Sequence, residues 1–180
     1  MGALNMIRRM VPARWPEALT GQWLPAESGF KGMREGGVII NIVCRQAFQL
    51  QGSAVHKQFR DCTKETEVVM KITDYLIHLD LGVPVEETWS CNPYYISKVA
   101  LEHATRIVAK SLQDQQGKRY EPGIRCYAID PGWLNTDLGG PAAPLSIEEG
   151  AEEVIWVAEE CGLPTGSVIH QRSVVSIPRP

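Results

Sequence analysis

The sequence lacks the long apolar runs and the basic patches that mark membrane, secreted and nucleic-acid-binding proteins. Its apolar runs are all far shorter than the ~20 residues that a membrane-spanning helix needs, and residues 1–12 lack the apolar stretch of a signal peptide. The formal net charge is only −3, so the chain has no basic footprint for nucleic acid and no polybasic patch for a membrane. The sequence therefore predicts a cytoplasmic protein that binds neither nucleic acid nor a membrane.

Cysteine and histidine are also scarce, and neither is arranged as a set of ligands. The 5 cysteines include no Cys-x-x-Cys pair, and the 4 histidines are scattered along the chain. An odd number of such cysteines is typical of reduced thiols in an intracellular protein. Because no zinc-ligand spacing is present, we expect no metal site.

Two segments are typical of strands inside a sheet. Residues 37–44 read GVIINIVC, an apolar and β-branched run after a glycine, and residues 123–130 read GIRCYAID. Continuous apolar runs of this length suit strands that are covered on both faces, as in a parallel sheet. Pro131 and Gly132 follow the second segment and mark the point where the strand passes into a loop.

Three segments carry apolar residues at helical spacing. They are residues 68–79, 94–112 and 147–158. Thr63 or Thr66 is a suitable N-cap for the first helix, and Ser146 is a suitable N-cap for the third. Glycines at 162 and 166 end the third helix, and residues 167–170 then predict a last short strand that residues 174–177 extend.

Tyr94 and Lys98 form the candidate catalytic pair. A spacing of four residues places both side chains on one face of the second helix, about one turn apart. A neighbouring ammonium favours the phenolate of a tyrosine, whose ordinary pKa is ~10, and so provides a general acid or base. The same spacing also occurs in helices without any catalytic role, so the order of the surrounding elements has to support it.

The order of strand, Tyr-x-x-x-Lys helix, strand and Pro-Gly loop resembles the C-terminal half of a short-chain dehydrogenase/reductase. Residues 130–141 and 146–151 are similar to the carbonyl-reductase branch of that family, and residues 49–90 resemble the helical insertion of the branch. The resemblance implies an α/β fold, a partial Rossmann-like parallel sheet of about three to four strands with packing helices. It divides the chain into a helix remnant and long loop at 1–35 and a half-domain at 36–180.

The resemblance also implies roles for individual residues. Tyr94 would donate a proton to a carbonyl being reduced, or accept one from an alcohol being oxidised. Lys98 would lower the pKa of the phenol and hold the nicotinamide ribose of NADP(H). Three further residues match the loop beside the nicotinamide, namely Pro131, Gly132 and Thr136. The implied activity is reduction of a small carbonyl compound, and analogy with other family variants points to secondary metabolism.

Cys44 departs from the family pattern. It stands three residues after Asn41, where the family has a serine that hydrogen-bonds the substrate oxygen, and a thiol is a weaker donor. The alternative role for Cys44 is that of a nucleophile activated by Lys98. The Gly-rich Thr-Gly-x-x-x-Gly-x-Gly turn that binds the cofactor pyrophosphate is also absent from the sequence.

Two other functions therefore stay open. One is a non-redox acid–base enzyme, an isomerase, cyclase or lyase, that uses Tyr94 and Lys98 on a small organic substrate. The other is a truncated, inactive family member. An apolar strand at 38–43, left at the edge of a sheet, is a template for another chain. We therefore expect one of three outcomes: self-association or another partner chain at this edge, shielding by residues 13–35, or poor solubility.

Overall fold

Four strands and four helices make up the described part of the chain, which the computed structural model gives as residues 36–44, 54–84, 89, 93–116 and 123–175. The helices are α1 (Ala54–Phe59), α2 (Glu65–Asp80), α3 (Pro93–Gln116) and α4 (Ile147–Glu159). The strands are β1 (Val38–Ile42), β2 (Arg125–Asp130), β3 (Val168–His170) and β4 (Ser173–Val174). The predicted helix remnant and loop at 1–35 lie outside these residues.

The strands form one sheet in the order β1-β2-β3-β4. The first three are parallel, with Val38 opposite Arg125 and Ala128 opposite Val168. Strands β1 and β2 coincide with the two apolar runs of the sequence, as expected for strands that helices cover. The predicted fold class is therefore confirmed: an α/β architecture with a mostly parallel, partial Rossmann-like sheet.

Helices cover both faces of the sheet. On one face, Ala109 and Leu112 of α3 pack against Cys126, and on the other, Val157 of α4 packs against Tyr127 and Ile129. Side chains alternate along a strand. The even-numbered residues of β2 therefore point to α3, and the odd-numbered ones point to α4.

Helices α1 and α2 pack on the side of α3 that faces away from the sheet. Their core is aromatic, with the ring of Phe59 5.7 Å from that of Trp89 and the ring of Tyr75 5.2 Å from it. Ile96 and Val99 of α3 belong to the same cluster. The described part of segment 49–90, which resembles a helical insertion, is thus helical and buries the outer side of α3.

The predicted N-cap of α2 is wrong. Neither threonine caps this helix: the N-cap residue is Lys64, and the Thr63 hydroxyl instead donates to the Glu67 carboxylate at 3.2 Å. The same carboxylate accepts from the backbone N–H of Thr63 at 2.6 Å and of Lys64 at 3.1 Å. A glutamate that folds back onto the chain replaces the threonine side chain, and acidic groups are favoured in a first turn.

The prediction that residues 174–177 extend the strand at 167–170 is also wrong for residues 174–175, the part of that segment that the structure describes. Strand β4 runs antiparallel to β3, with His170 opposite Ser173. The chain reverses at Gln171 and Arg172, which adopt φ values of 50° and 55°. Two-residue hairpins of this kind usually carry Asn-Gly, so a Gln-Arg pair gives no sequence signal for the turn.

The predicted cap of α4 is confirmed. Ser146 Oγ accepts from the N–H of Glu149 at 3.1 Å, and Glu149 Oε2 accepts from the N–H of Ser146 at 2.7 Å. A Cβ on Gly150 would lie 2.4 Å from Leu134 Cδ1, so this glycine lets the loop after β2 pack directly on α4. No helix within the described ranges combines the length and apolar character needed to cross a membrane.

Candidate functional site

The candidate site lies where the carboxyl ends of β1 and β2 meet the first turn of α3. Pro93 is the first residue of α3, a position where the missing N–H of proline would have no helical partner anyway. The next residues of the helix include Tyr94 and Lys98. The N–H of Val43 donates to the carbonyl of Ile129 at 2.8 Å, so the chain after β1 still follows β2 and brings Cys44 to the same edge.

Lys98 is buried and reaches the edge of β1 that lies away from β2. Its side chain is 6% exposed, and its Nζ donates to the carbonyl of Ile42 at 2.9 Å. The Gly37 carbonyl accepts from the N–H of Arg125, and the N–H of Val43 donates to β2. The backbone N–H and carbonyl groups of odd-numbered residues along β1 therefore point to β2. The Ile42 carbonyl therefore points away from β2, and burial around the ammonium lowers the pKa of Lys98.

Tyr94 is held in its protonated form. Its side chain is 39% exposed, and the Lys98 Nζ lies 5.5 Å from the centre of its ring. The pKa of Tyr94 is raised to about 12. Partial burial is the largest cause, and the hydrogen-bonded Cys44 side chain and the Asp130 carboxylate add to it. The shift is upward overall, and the expectation that Lys98 lowers this pKa stays a prediction.

Cys44 lies where the sequence predicts a substrate contact. Its thiol is half-buried and hydrogen-bonds Tyr94, so a substrate oxygen that reaches the phenol also meets the sulfur. Cys44, Tyr94 and Lys98 are thus brought together from two elements that are distant in the sequence. The nucleophilic role of Cys44 stays a prediction.

The residues predicted to contact the cofactor occupy two parts of the loop after β2. Pro131 and Gly132 follow the strand directly and lie at the same sheet edge as Cys44. Gly132 has φ 93°, and a Cβ there would be 2.5 Å from Leu145 Cδ1, so no other residue fits without displacing that side chain. Thr136 lies further along, where its Oγ1 accepts from the N–H of Gly139 at 3.0 Å.

An open concavity of about 650 Å³ lies over the second part of the loop. Its lining residues are Asn135, Thr136, Asp137, Leu138, Gly140, Pro141 and Ile147. Leu138 and Ile147 are exposed there, so the concavity offers an apolar wall beside polar groups.

Sequence reasoning did not single out two residues of this site, Asp130 and His170. Asp130 ends β2 with a buried side chain, and its Oδ1 accepts from the N–H of Gly132 at 2.9 Å. Its Oδ2 lies 3.8 Å from Nδ1 of His170, the last residue of β3. A carboxylate at the end of a buried strand was a usable signal for the first residue, but only the sheet order reveals the second.

A separate titratable cluster lies further along α3. Glu102 is fully buried and pairs with Arg106, while its Oε2 has no hydrogen-bond partner among the described residues. Burial raises the pKa of Glu102 to about 7. Burial and the neighbouring His56, whose Nδ1 is 3.2 Å from the Nε2 of His103, lower the pKa of His103 to about 3.

These opposite shifts predict how Glu102→Gln changes the pH dependence of stability. The contribution of Glu102 is present below its unfolded pKa of ~4.3 and is lost as the pH rises through about 7. The contribution of His103 is present above its unfolded pKa of ~6.5 and is lost as the pH falls toward about 3. Between these unfolded values the two slopes oppose each other.

Glu102→Gln removes the contribution of Glu102 to the pH dependence of the free energy of unfolding, so nothing from Glu102 opposes the contribution of His103. Relative to wild type, the free energy of unfolding is expected to rise more steeply with pH over this window, by up to ~1.4 kcal/mol per pH unit. Urea unfolding at several pH values measures this difference, and His103→Gln should change the slope with the opposite sign. Parallel curves for the three proteins would contradict both assignments.

A mostly parallel α/β sheet with a tyrosine–lysine helix at its carboxyl edge defines a Rossmann-like class of protein. Over 130 residues the chain is 32% identical to NADPH carbonyl reductase 1 of Oryctolagus cuniculus, covering 70% of this chain and 46% of that protein. It is 33% identical over 114 residues to NADPH carbonyl reductase 1 of Sus scrofa, covering 62% of this chain and 38% of that protein. No protein-family model matches the chain.

The fold has a counterpart of known structure. Salutaridine reductase from Papaver somniferum superposes with a TM-score of 0.57 at 19% identity, over 74% of this chain and 45% of that one. The chain belongs to the short-chain dehydrogenase/reductase family, in its carbonyl-reductase branch. It spans less than half the length of the curated relatives cited above.

Proposed function

We propose that this chain is an oxidoreductase that reduces a small carbonyl compound with NADPH, or oxidises the corresponding alcohol with NADP. The observation that carries the proposal is that Tyr94 and Lys98 lie together at the carboxyl edge of the sheet, with the Lys98 Nζ 5.5 Å from the centre of the Tyr94 ring. The two relatives named for NADPH-dependent carbonyl reduction support the choice of cofactor and substrate class.

The residues present fit the nicotinamide end of the cofactor. The buried ammonium of Lys98 lies at the outer edge of β1, where a ribose hydroxyl would meet a charged donor. Gly132 has no side chain and a positive φ, so the planar nicotinamide ring could approach its backbone closely. The Gly-rich turn for the pyrophosphate is not in the sequence, so these residues hold the nicotinamide end alone.

When bound, NADPH supplies the hydride that the carbonyl carbon accepts. The Tyr94 hydroxyl hydrogen-bonds the carbonyl oxygen and gives it a proton, which leaves an alcohol and a tyrosinate. An alkoxide is a far stronger base than a phenolate, so this transfer is favourable even for a tyrosine with a raised pKa. Lys98 stabilises the tyrosinate through its charge, and solvent returns the proton because Tyr94 is partly exposed.

Deuterium transfer tests this proposal. The purified chain would be incubated with NADPH deuterated at C4 and a panel of small ketones and aldehydes. The expected result is one deuterium on the carbinol carbon of a product, with a matching loss of nicotinamide absorbance. A folded protein that transfers no label, but catalyses substrate exchange with D₂O without nucleotide, would point instead to the non-redox acid–base alternative.

We further propose that the outer edge of β1 pairs with a second copy of the chain. Within the described residues this edge has no strand partner, and Ile42 at its end is exposed. The N–H of Ile40 points outward, so Ile40→Pro would block pairing without breaking a bond to β2. Sedimentation is expected to show wild-type dimers and monomeric Ile40→Pro, and a wild-type monomer at every concentration would contradict the pairing.

A further inference from the structure

Asp130 places a buried carboxylate beside the candidate catalytic tyrosine. It is 5% exposed, and as an even-numbered residue of β2 its side chain points to the α3 face of the sheet. Tyr94 and Lys98 begin α3 on that same face. The register that pairs Ile42 with Ile129 also brings the end of β2 level with the residues just after β1.

The carboxylate is clamped from two sides. Its Oδ1 accepts from the N–H of Gly132 at 2.9 Å, and its Oδ2 lies 3.8 Å from His170 Nδ1. The same ring nitrogen lies 3.3 Å from the backbone oxygen of Asp130, so the imidazole is fixed against the strand end. One contact comes from the backbone of the following loop and the other from the neighbouring strand β3, so both hold the carboxylate at the end of β2.

The turn that follows His170 is strained. Gln171 and Arg172 both have positive φ, a conformation that costs L-residues roughly 1–2 kcal/mol each. The hairpin they form keeps His170 in register opposite Ser173 and beside Asp130. Strain of this kind is retained where the held geometry has a use, and the held geometry here is the clamp on the carboxylate.

We propose that Asp130 is a positioning residue for Tyr94: its buried carboxylate, held at the end of β2 on the α3 face of the sheet, governs proton transfer at the phenol. Four titratable side chains of the described residues face the phenol: Cys44, Lys98, Asp130 and Tyr95. Lys98 alone among them favours the tyrosinate, and its charge is engaged by the Ile42 carbonyl.

The pH dependence of the rate in each direction follows from this charge. Reduction needs the phenol as an acid, whereas oxidation needs the tyrosinate as a base. A fixed anion near the phenol makes the first form abundant at neutral pH and the second one rare. The use of this effect in catalysis rests on the proposed function, but the effect itself is a property of the free protein.

Asp130→Asn is the sharpest test, because asparagine keeps the shape and the acceptor for Gly132 while it removes the charge. The readout is the chemical shift of Tyr94 in protein labelled with ¹³C at tyrosine Cζ, followed across alkaline pH and assigned with Tyr94→Phe. The titration of Tyr94 is expected to move to lower pH by roughly half to one unit. Glu152→Gln, which removes an exposed carboxylate on α4, should leave it unmoved.

An unchanged Tyr94 titration in folded Asp130→Asn would overturn the proposal. If Asp130→Asn does not fold, His170→Gln provides the test. Loosening the contact with the Asp130 carboxylate should move the Tyr94 titration to lower pH by a smaller amount. An unmoved titration in folded His170→Gln would also overturn the proposal. A shifted titration in a protein that binds no NADPH would keep the role of Asp130 and reject the redox function. In an active protein the rising limb of the pH profile for alcohol oxidation should move to lower pH with Asp130→Asn.

Discussion

Tyr94→Phe is expected to lower kcat/KM for NADPH-dependent carbonyl reduction by roughly 10²- to 10⁴-fold, the usual contribution of a positioned general acid. The phenylalanine ring keeps the packing but cannot donate the proton. KM should change little, because the hydroxyl contributes mainly to the transition state. Steady-state kinetics on whichever substrate passes the deuterium-transfer test gives both constants.

Tyr95→Phe is the matched control for this variant. Tyr95 is the next residue of α3, and its ring lies 5.5 Å from that of Tyr94. Its substitution removes the same atom from the same helical turn, so activity should stay within about twofold of wild type if the proton comes from Tyr94. Equal losses in the two variants would mean that the turn is structurally sensitive and that Tyr94 is not the acid.

Lys98→Met is expected to weaken NADPH binding by at least about tenfold, which corresponds to ~1.4 kcal/mol of binding free energy. Methionine fills much of the same buried volume but has no donor for the Ile42 carbonyl or for a ribose hydroxyl. It also removes the cation beside the Tyr94 ring, so kcat should fall together with the affinity. Calorimetric titration of the variant with NADPH measures the first effect.

Lys110→Met provides the comparison, because Lys110 is an exposed lysine of the same helix. It should bind NADPH as the wild type does and melt at nearly the same temperature. Similar losses of affinity in both variants would show that general positive charge, and not the ammonium at the β1 edge, attracts the nucleotide.

The parts of the fold that could be predicted from the sequence depend on local pattern. The apolar run at 37–44 and the Pro-Gly break at 131–132 locate β1 and the end of β2 because strand period and turn chemistry act over a few residues. Ser146 identifies the start of α4 for the same reason, since its cap involves the chain three residues away. Proximity of Tyr94 and Lys98 also follows from helix geometry alone.

The electrostatics of the site could not be predicted in the same way. The direction of the Tyr94 pKa shift depends on burial and on Cys44 and Asp130, which come from other elements. The partnership of Asp130 and His170 depends on β3 lying beside β2, and the β4 hairpin depends on positive φ at residues with no such preference. Each of these features arises only when distant segments pack together.

Binding of NADPH to the wild-type chain is the measurement that tests the account most directly. Calorimetry should show saturable binding at micromolar concentration, with NADP binding in the same range, because the proposed contacts of Lys98 and Gly132 are to the nicotinamide end, whose ribose both nucleotides share. No heat of binding up to millimolar nucleotide, from a chain shown to be folded, would contradict the reductase assignment.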